Sequence, residues 1–358
     1  MRGEVTAAKS GPELGVPTER RVGWGFIALY ALAFTSTSVL FLPPLLVTLP
    51  LKINSLVGIK EAPNSLALVA GVGAFVSMIA NPFFGRMSDR TSSRLGMRRP
   101  WMVIGFVGGS VGIVVIALAP NIPVVLLGWC MAQLFFNALL AAQVAVVPDQ
   151  VQPAQRGIVS GVLGVCLPTA AVTGTFLVRL VSGNQLATFL VPCGIAGFFI
   201  LLFAVVLRDR RLAKAARPIW SLGEFARTFY VAPRKSPDFA WAFVSRFMFI
   251  LAYAFLATYQ AYYLLDKIGS TRADVPEQIF LGTLTSSVVV IAASLIFGKL
   301  SDRTGRRKIF VFTASIVYAV AMFVIAIAST FNGFLVGAVF FLLGLWVLYR
   351  SLRKPKIT

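Results

Sequence analysis

Inside long apolar runs, a few polar side chains are spaced to share one helix face. Arg246, Tyr253 and Gln260 recur every seventh residue, which at about 100° per residue keeps them within about 40° of one line. Gln133 and Asn137 stand four apart, one above the other. Thr283, Ser286 and Ser287 form a third set. Amides, a phenol and hydroxyls exchange hydrogen bonds with neutral, hydroxyl-rich ligands such as sugars, and an aromatic ring adds a stacking surface. These are tools for holding a small molecule, not for transforming it. The same groups can equally serve as hydrogen bonds between helices, and Arg246, two turns from the end of its run, can reach back to the polar boundary.

Groups for other chemistry are missing. The chain has no His, and Cys130, Cys166 and Cys193 lie inside apolar runs without metal-ligand spacing. Neither a P-loop, a zincin pattern nor a nucleophile elbow occurs. Gly71-x-Gly73 has no strand before it, so it is not a dinucleotide fingerprint. No enzymatic activity, cofactor or metal is expected. A proton-coupled device needs a titratable group in the pathway, yet Asp149, Asp238, Asp266 and Glu277 all fall at the ends of runs. Asp149 is the best placed of them.

The charged residues hold a repeat. Gly85 to Thr91 reads GRMSDRT, and Gly298 to Thr304 reads GKLSDRT. The first continues through Ser92-Ser93-Arg94-Leu95 to Gly96-Met97-Arg98-Arg99; the second runs directly into Gly305-Arg306-Arg307-Lys308. Gly suits a turn or a close helix approach. The aspartates, Asp89 and Asp302, can cap the next helix or pair with Arg, and Arg90, Arg98, Arg99, Arg303, Arg306 and Arg307 can bond helix C-terminal carbonyls. Two such loops could clamp two halves through charge pairs that form in one state and break in another.

The elements that carry these residues are membrane helices. Of 358 residues, 58% are hydrophobic and 13% charged, against about 45–50% and about 25% in soluble domains; mean hydropathy is +0.83. The runs approach the ~20 residues that cross a bilayer as a helix. Ten spans are expected, at 22–49, 65–84, 101–118, 122–147, 157–180, 186–207, 240–265, 278–297, 309–327 and 331–349. The net charge of +20 sorts by topology. Lys52, Lys60, Arg179, Lys267 and Arg272 fall on one face and Arg246 inside a span, while every other Lys and Arg falls on the opposite face. That rich face is expected to be cytoplasmic, with anionic lipids as neighbours and no nucleic acid. Both SDRT loops and both termini then lie in the cytoplasm.

The chain therefore divides into a polar tail (1–21), a six-helix bundle (22–207), a basic linker (208–237), a four-helix bundle (238–349) and a basic tail (350–358). The two loops join the second and third helices of each bundle, so an internal duplication is expected.

GRMSDRT and GKLSDRTGRRK resemble the signature loops of the major facilitator superfamily, secondary transporters built as two six-helix bundles. SSRLGMRRPW and PDQVQPAQRGIVSG (Pro148 to Gly161) are similar to its sucrose and glycoside transporter-like branch. The resemblance implies alternating access around a central site in a plasma membrane, with a small solute as partner. Helix five carries Gly164 and Pro168 but not the Gly-Pro pattern of the superfamily's antiporters. Relatives have twelve helices, so the resemblance implies an incomplete second bundle. It also implies that the second loop meets helix five through Arg156, while Asp89 and Arg90 lose a partner on helix eleven, so that Asp302→Ala does more harm than Asp89→Ala. A sugar or glycoside carrier is the first expectation; an exporter of amphipathic compounds and a truncated, non-transporting copy are the alternatives.

Overall fold

A computed structural model describes residues 21–209, 212, 221, 223, 225, 237–304 and 307–337. Every regular element among them is helical: α1 (Trp24–Val39), α2 (Leu49–Asp89), α3 (Arg99–Leu118), α4 (Ile122–Gln150), α5 (Pro153–Leu180), α6 (Gln185–Val206), α7 (Pro237–Tyr262), α8 (Val275–Thr304) and α9 (Arg307–Ile327). A further helical segment, α10, covers 331–337. By length and composition, seven described stretches could cross a membrane, the first being the joined stretch Trp24–Asp89; Phe312–Ile327 is a shorter apolar helix.

Helix starts follow side-chain capping. Asn121 accepts from the Val124 N–H at 3.1 Å, and Asn184 from Leu186 and Ala187 at 2.9 and 3.2 Å, which satisfies first-turn donors of α4 and α6.

The connection expected at 50–64 is not a loop. After α1, the wide turn Pro44–Thr48 carries the helix past Pro43 and Pro44 into α2, and the break comes at Gly58, with φ 76° and ψ 166°. Only glycine adopts that backbone cheaply. Segment 49–57 therefore prolongs the first span, and 59–89 forms the second. Lys52, which looks like a loop residue, is buried, and its ammonium donates to the Ala117 carbonyl at 3.0 Å. That carbonyl lies in the last turn of α3, where a cation is favoured.

Helices α3 and α4 are in closest contact. A Cβ at Gly112 would stand 2.6 Å from the Ala132 nitrogen and 2.7 Å from the Gly128 carbonyl oxygen, so the small residues let two backbones touch. Gly157 and Gly161 differ: a Cβ at either meets nothing within 4 Å. Tyr30, Met102, Trp129, Phe136, Ile200 and Phe203 are buried in one core shared by the first six helices. A second apolar cluster joins Leu46, Val47, Ala171 and Val178 to Ala257, Ala261, Leu264, Val275 and Ile279. It is the seam between the first six helices and α7–α8.

Candidate functional site: the charged loop and the crevice it faces

The loop between α2 and α3 folds around Arg98, which is only 4% exposed. Its guanidinium donates Nε to Asp149 Oδ2 at 2.8 Å, Nη2 to Asp89 Oδ1 at 2.7 Å and Nη1 to Ser88 Oγ at 2.8 Å. Asp149 is in the last turn of α4, so the loop is fastened to a different helix. Burial alone would lower the Arg98 pKa; hydrogen bonds and charge from Asp149 and then Asp89 outweigh it, and the net shift is upward. Asp89 therefore has a partner in its own half. Arg90 is the C-cap of α2, its N–H donating to Met87 O. Gly85 lies inside α2 with open space where a Cβ would stand, so neither a turn nor a close approach explains it.

The turn falls at Gly96, with φ 107°. A Cβ there would overlap the Asp209 carboxylate. Asp209 Oδ2 accepts from the backbone N–H groups of Arg98 and Arg99 at 2.6 and 2.9 Å, capping the start of α3. In return Arg99 Nη2 donates to the carbonyls of Val205, at 2.8 Å, and Leu207, where α6 ends. Each helix end is satisfied by a side chain from beside the other. Asp209 sits in RDRR, a stretch whose composition reads only as basic linker, so nothing in the sequence singled it out.

Arg156 turns to its own half. It donates Nε to Val151 O and Nη2 to Pro148 O, both at 3.2 Å, and so satisfies carbonyls at the C-terminal end of α4. These acceptors are the ones a helix end leaves free. The backbone of Gly298, Asp302 and Arg303 is in α8 and Arg307 opens α9; their side chains, and Arg306 entirely, lie outside the described residues.

Within the spans, Asn137 is buried and saturated. Its Nδ2 donates to Gln133 O at 2.7 Å and lies 3.4 Å from Gln133 Oε1, while its Oδ1 accepts from Asn81 Nδ2 on α2 at 3.3 Å. Gln133 and Asn137 are thus brought together as spacing predicts, with Asn81 added. A third α4 amide, Gln143, is fully buried, and its side chain makes no hydrogen bond to described residues; its carbonyl accepts from Tyr30 Oη at 3.1 Å. It projects off the Gln133–Asn137 face, which is why periodicity missed it. On α7, Arg246 and Tyr253 are exposed and Gln260 is half-buried. On α8, Thr283 and Ser286 are half-buried, while Ser287 Oγ donates to Pro168 O on α5 at 3.4 Å.

The contacts across the seam are unequally distributed. At the end away from the charged loop, Arg179 meets Glu277 at 3.0 Å and its guanidinium lies 5.4 Å from the Phe280 ring centroid. Phe176 packs on Phe280, Tyr262 Oη donates to Pro50 O at 3.1 Å, and Arg272 donates to Leu51 O at 3.3 Å. Toward the charged loop, α7 is exposed from Ala242 through Tyr253, and Gly157, Ile158, Ser160, Gly161 and Gly164 on α5 are exposed as well. Among the described residues, the contacts across the seam gather at the end away from the charged loop.

Comparison with known proteins bears on the fold. Crystal structures of similar fold include the nucleoside transporter NupG in a mutant form (TM-score 0.62, 13% identity, covering 92% of this chain and 84% of that one). A D-xylose-proton symporter (0.55, 14%, 92% and 83%) and the human organic anion transporter MFSD10 (0.56, 15%, 93% and 86%) are also similar. At these identities the likeness concerns the fold alone. None of the curated proteins matches the chain in sequence. The sequence does match the description of the Major Facilitator Superfamily over residues 18–349, nearly its whole length, and the chain belongs to that family.

Proposed function

We propose that this membrane transporter carries a neutral, hydroxyl-rich solute, a sugar or glycoside, by alternating access between a six-helix first half and a second half beginning at α7. The observation that carries the reading is the one-ended seam: Arg179–Glu277 and its neighbours tie the halves at one end, while α7 and α5 part at the other. Gln133 and Asn81 on one side, with Tyr253, Gln260, Thr283 and Ser286 on the other, supply the hydrogen-bonding groups for the solute. The second SDRT loop, with Gly298, Asp302, Arg303, Arg306 and Arg307, serves as the counterpart of the Asp89–Arg98–Asp149 cluster. Crowding of Lys and Arg at the parted end supports a plasma membrane orientation in which that end is cytoplasmic, so the conformation is open inward. Of the carboxylates at the ends of the spans, Asp149 is the one held in the charged cluster by Arg98.

Uptake of labelled disaccharides into proteoliposomes tests the reading. Saturable uptake supports it, and accumulation that a proton ionophore abolishes supports symport in addition. Outward flux of amphipathic ions with no sugar uptake supports an exporter instead, and absence of any flux overturns the transport reading.

A further inference from the structure

The first turns of α1 and α5 are tied at the same end as the charged loop. The Val22 N–H donates to Gln155 Oε1 at 2.9 Å, and Gln155 Nε2 donates back to the Val22 carbonyl at 3.1 Å, so this amide is spent on the chain itself. Beside the tie lies a recess of about 280 Å³ walled by Arg21, Trp24, Ile27, Ala154 and Ile158. It falls just below the roughly 300–1,000 Å³ typical of whole small-molecule sites. A headgroup fits it better than a solute molecule does.

The wall changes character with depth. Arg21 is exposed at the mouth and has no ion-pair partner among the described residues. Trp24, which opens α1, is 71% exposed, and Ile27, one turn along α1, is buried. Ala154 and Ile158 repeat the step from small to aliphatic on α5. From Trp24 to Ile27, at about 1.5 Å per residue, indole gives way to aliphatic surface over roughly 4.5 Å, with the Arg21 charge in the non-helical segment before it. A leaflet has the same order: phosphate, then the interfacial layer where Trp concentrates, then acyl chain.

We propose that this recess binds the headgroup of an anionic phospholipid. Its phosphate lies on the Arg21 guanidinium, which matches phosphate oxygens in a bidentate fork; its glycerol backbone lies at Trp24, and its first acyl methylenes run along Ile27 and Ile158. A free phosphate would use Arg21 but has nothing to set against the indole and the two isoleucines, so the occupant is a lipid. The proposal rests on the membrane orientation given above, with this end facing the anionic leaflet, and does not depend on which solute is carried.

Native mass spectrometry of the purified full chain, titrated with phosphatidylglycerol or phosphatidylcholine, tests it without reference to transport. Phosphatidylglycerol adducts are expected to outlast phosphatidylcholine adducts. Arg21→Gln should reduce phosphatidylglycerol retention about fivefold, the contribution of one basic residue at an anionic surface. Arg208→Gln, which removes another exposed arginine at this end but outside the recess, should leave retention unchanged. Ile158→Ser, which keeps every charge, should weaken retention of both lipids. Equal losses in Arg21→Gln and Arg208→Gln would mean diffuse surface attraction and overturn the site. Displacement of the lipid by inorganic phosphate would overturn the choice of occupant.

Discussion

Arg98 and Asp149 form an ion pair between the α2–α3 loop and the last turn of α4, with Nε and Oδ2 2.8 Å apart. The same guanidinium holds Asp89, whose side chain is 53% exposed, whereas that of Arg98 is only 5% exposed. Removing the buried member strands two carboxylates and an Oγ that were arranged around it. Arg98→Gln should therefore cost about 3 kcal/mol, the lower range for breaking a buried pair. Asp89→Asn should cost about 1 kcal/mol at most, because solvent screens an exposed partner. Unfolding temperatures in detergent will rank the variants; equal losses would refute the central place given to Arg98.

The upward shift of the Arg98 pKa fixes a pH dependence. A base whose folded pKa is raised contributes its stability in full below the unfolded value and loses it only as pH rises through the higher folded value, and for a guanidinium both lie far above neutral. The gap in unfolding temperature between the native chain and Arg98→Gln should thus stay constant from about pH 7 to 10. A gap that closes as pH rises within that window would contradict the assignment.

Gly96 and Asp209 make a coupled pair. Asp209→Ala removes the cap on α3 and should cost about 1–2 kcal/mol. Gly96→Ala should cost more, since it combines a positive φ with overlap on the Asp209 carboxylate. In the double variant the overlap with the carboxyl atoms is gone, while the close approach to the Cβ at position 209, the backbone strain and the lost cap remain. The combined loss should fall short of the sum of the two single losses; strict additivity would show that the carboxylate does not need the missing Cβ.

These pairs also mark what the sequence could and could not reveal. Apolar runs located the helices, because crossing lipid is a local demand. The order Gly-Ser-Asp-Arg-Thr located the loop, and the expectation that its arginines would bond helix C-terminal carbonyls is met by Arg99 on α6. Partners were the harder matter. Asp209 lies 110 residues from Arg99, and a lone acid in a basic stretch carries no periodic signal. Residues 50–64 read as a loop because Pro, Lys, Asn and Glu are common in loops, yet the break is made by the φ of Gly58 alone.

The polar groups on α4 should separate by role. Asn137 has both amide ends engaged between α2 and α4, so Asn137→Ala should lower stability by about 1 kcal/mol and reduce uptake only in proportion to folded protein. Gln133 is half-buried and lends only its two oxygens to Asn137. Gln133→Ala should leave the unfolding temperature nearly unchanged and raise the half-saturating solute concentration severalfold. The reverse pattern would exchange their roles.

Arg179 and Glu277 close the far end of the seam, and both are partly exposed, at 38% and 53% of their side-chain surface. An exposed pair contributes about 0.2–1 kcal/mol, too little to decide the fold but enough to move a balanced equilibrium. Glu277→Gln should shift the ratio of the two access states by up to about fivefold toward the one open at that end. The cation–π contact of Arg179 with Phe280 is retained in this variant, so the shift should be smaller than in Arg179→Gln, which loses both contacts. Spin labels on α5 and α8 would read the separation directly. A charge-swapped variant, Arg179→Glu with Glu277→Arg, should move the distribution back toward the native one, because the attraction depends on opposite sign and not on which helix carries the cation. If the swapped variant stays as open as Arg179→Gln, the ion pair is not the latch and the closure belongs to the apolar contacts of Phe176, Val178 and Ile279 together with the Tyr262 and Arg272 hydrogen bonds.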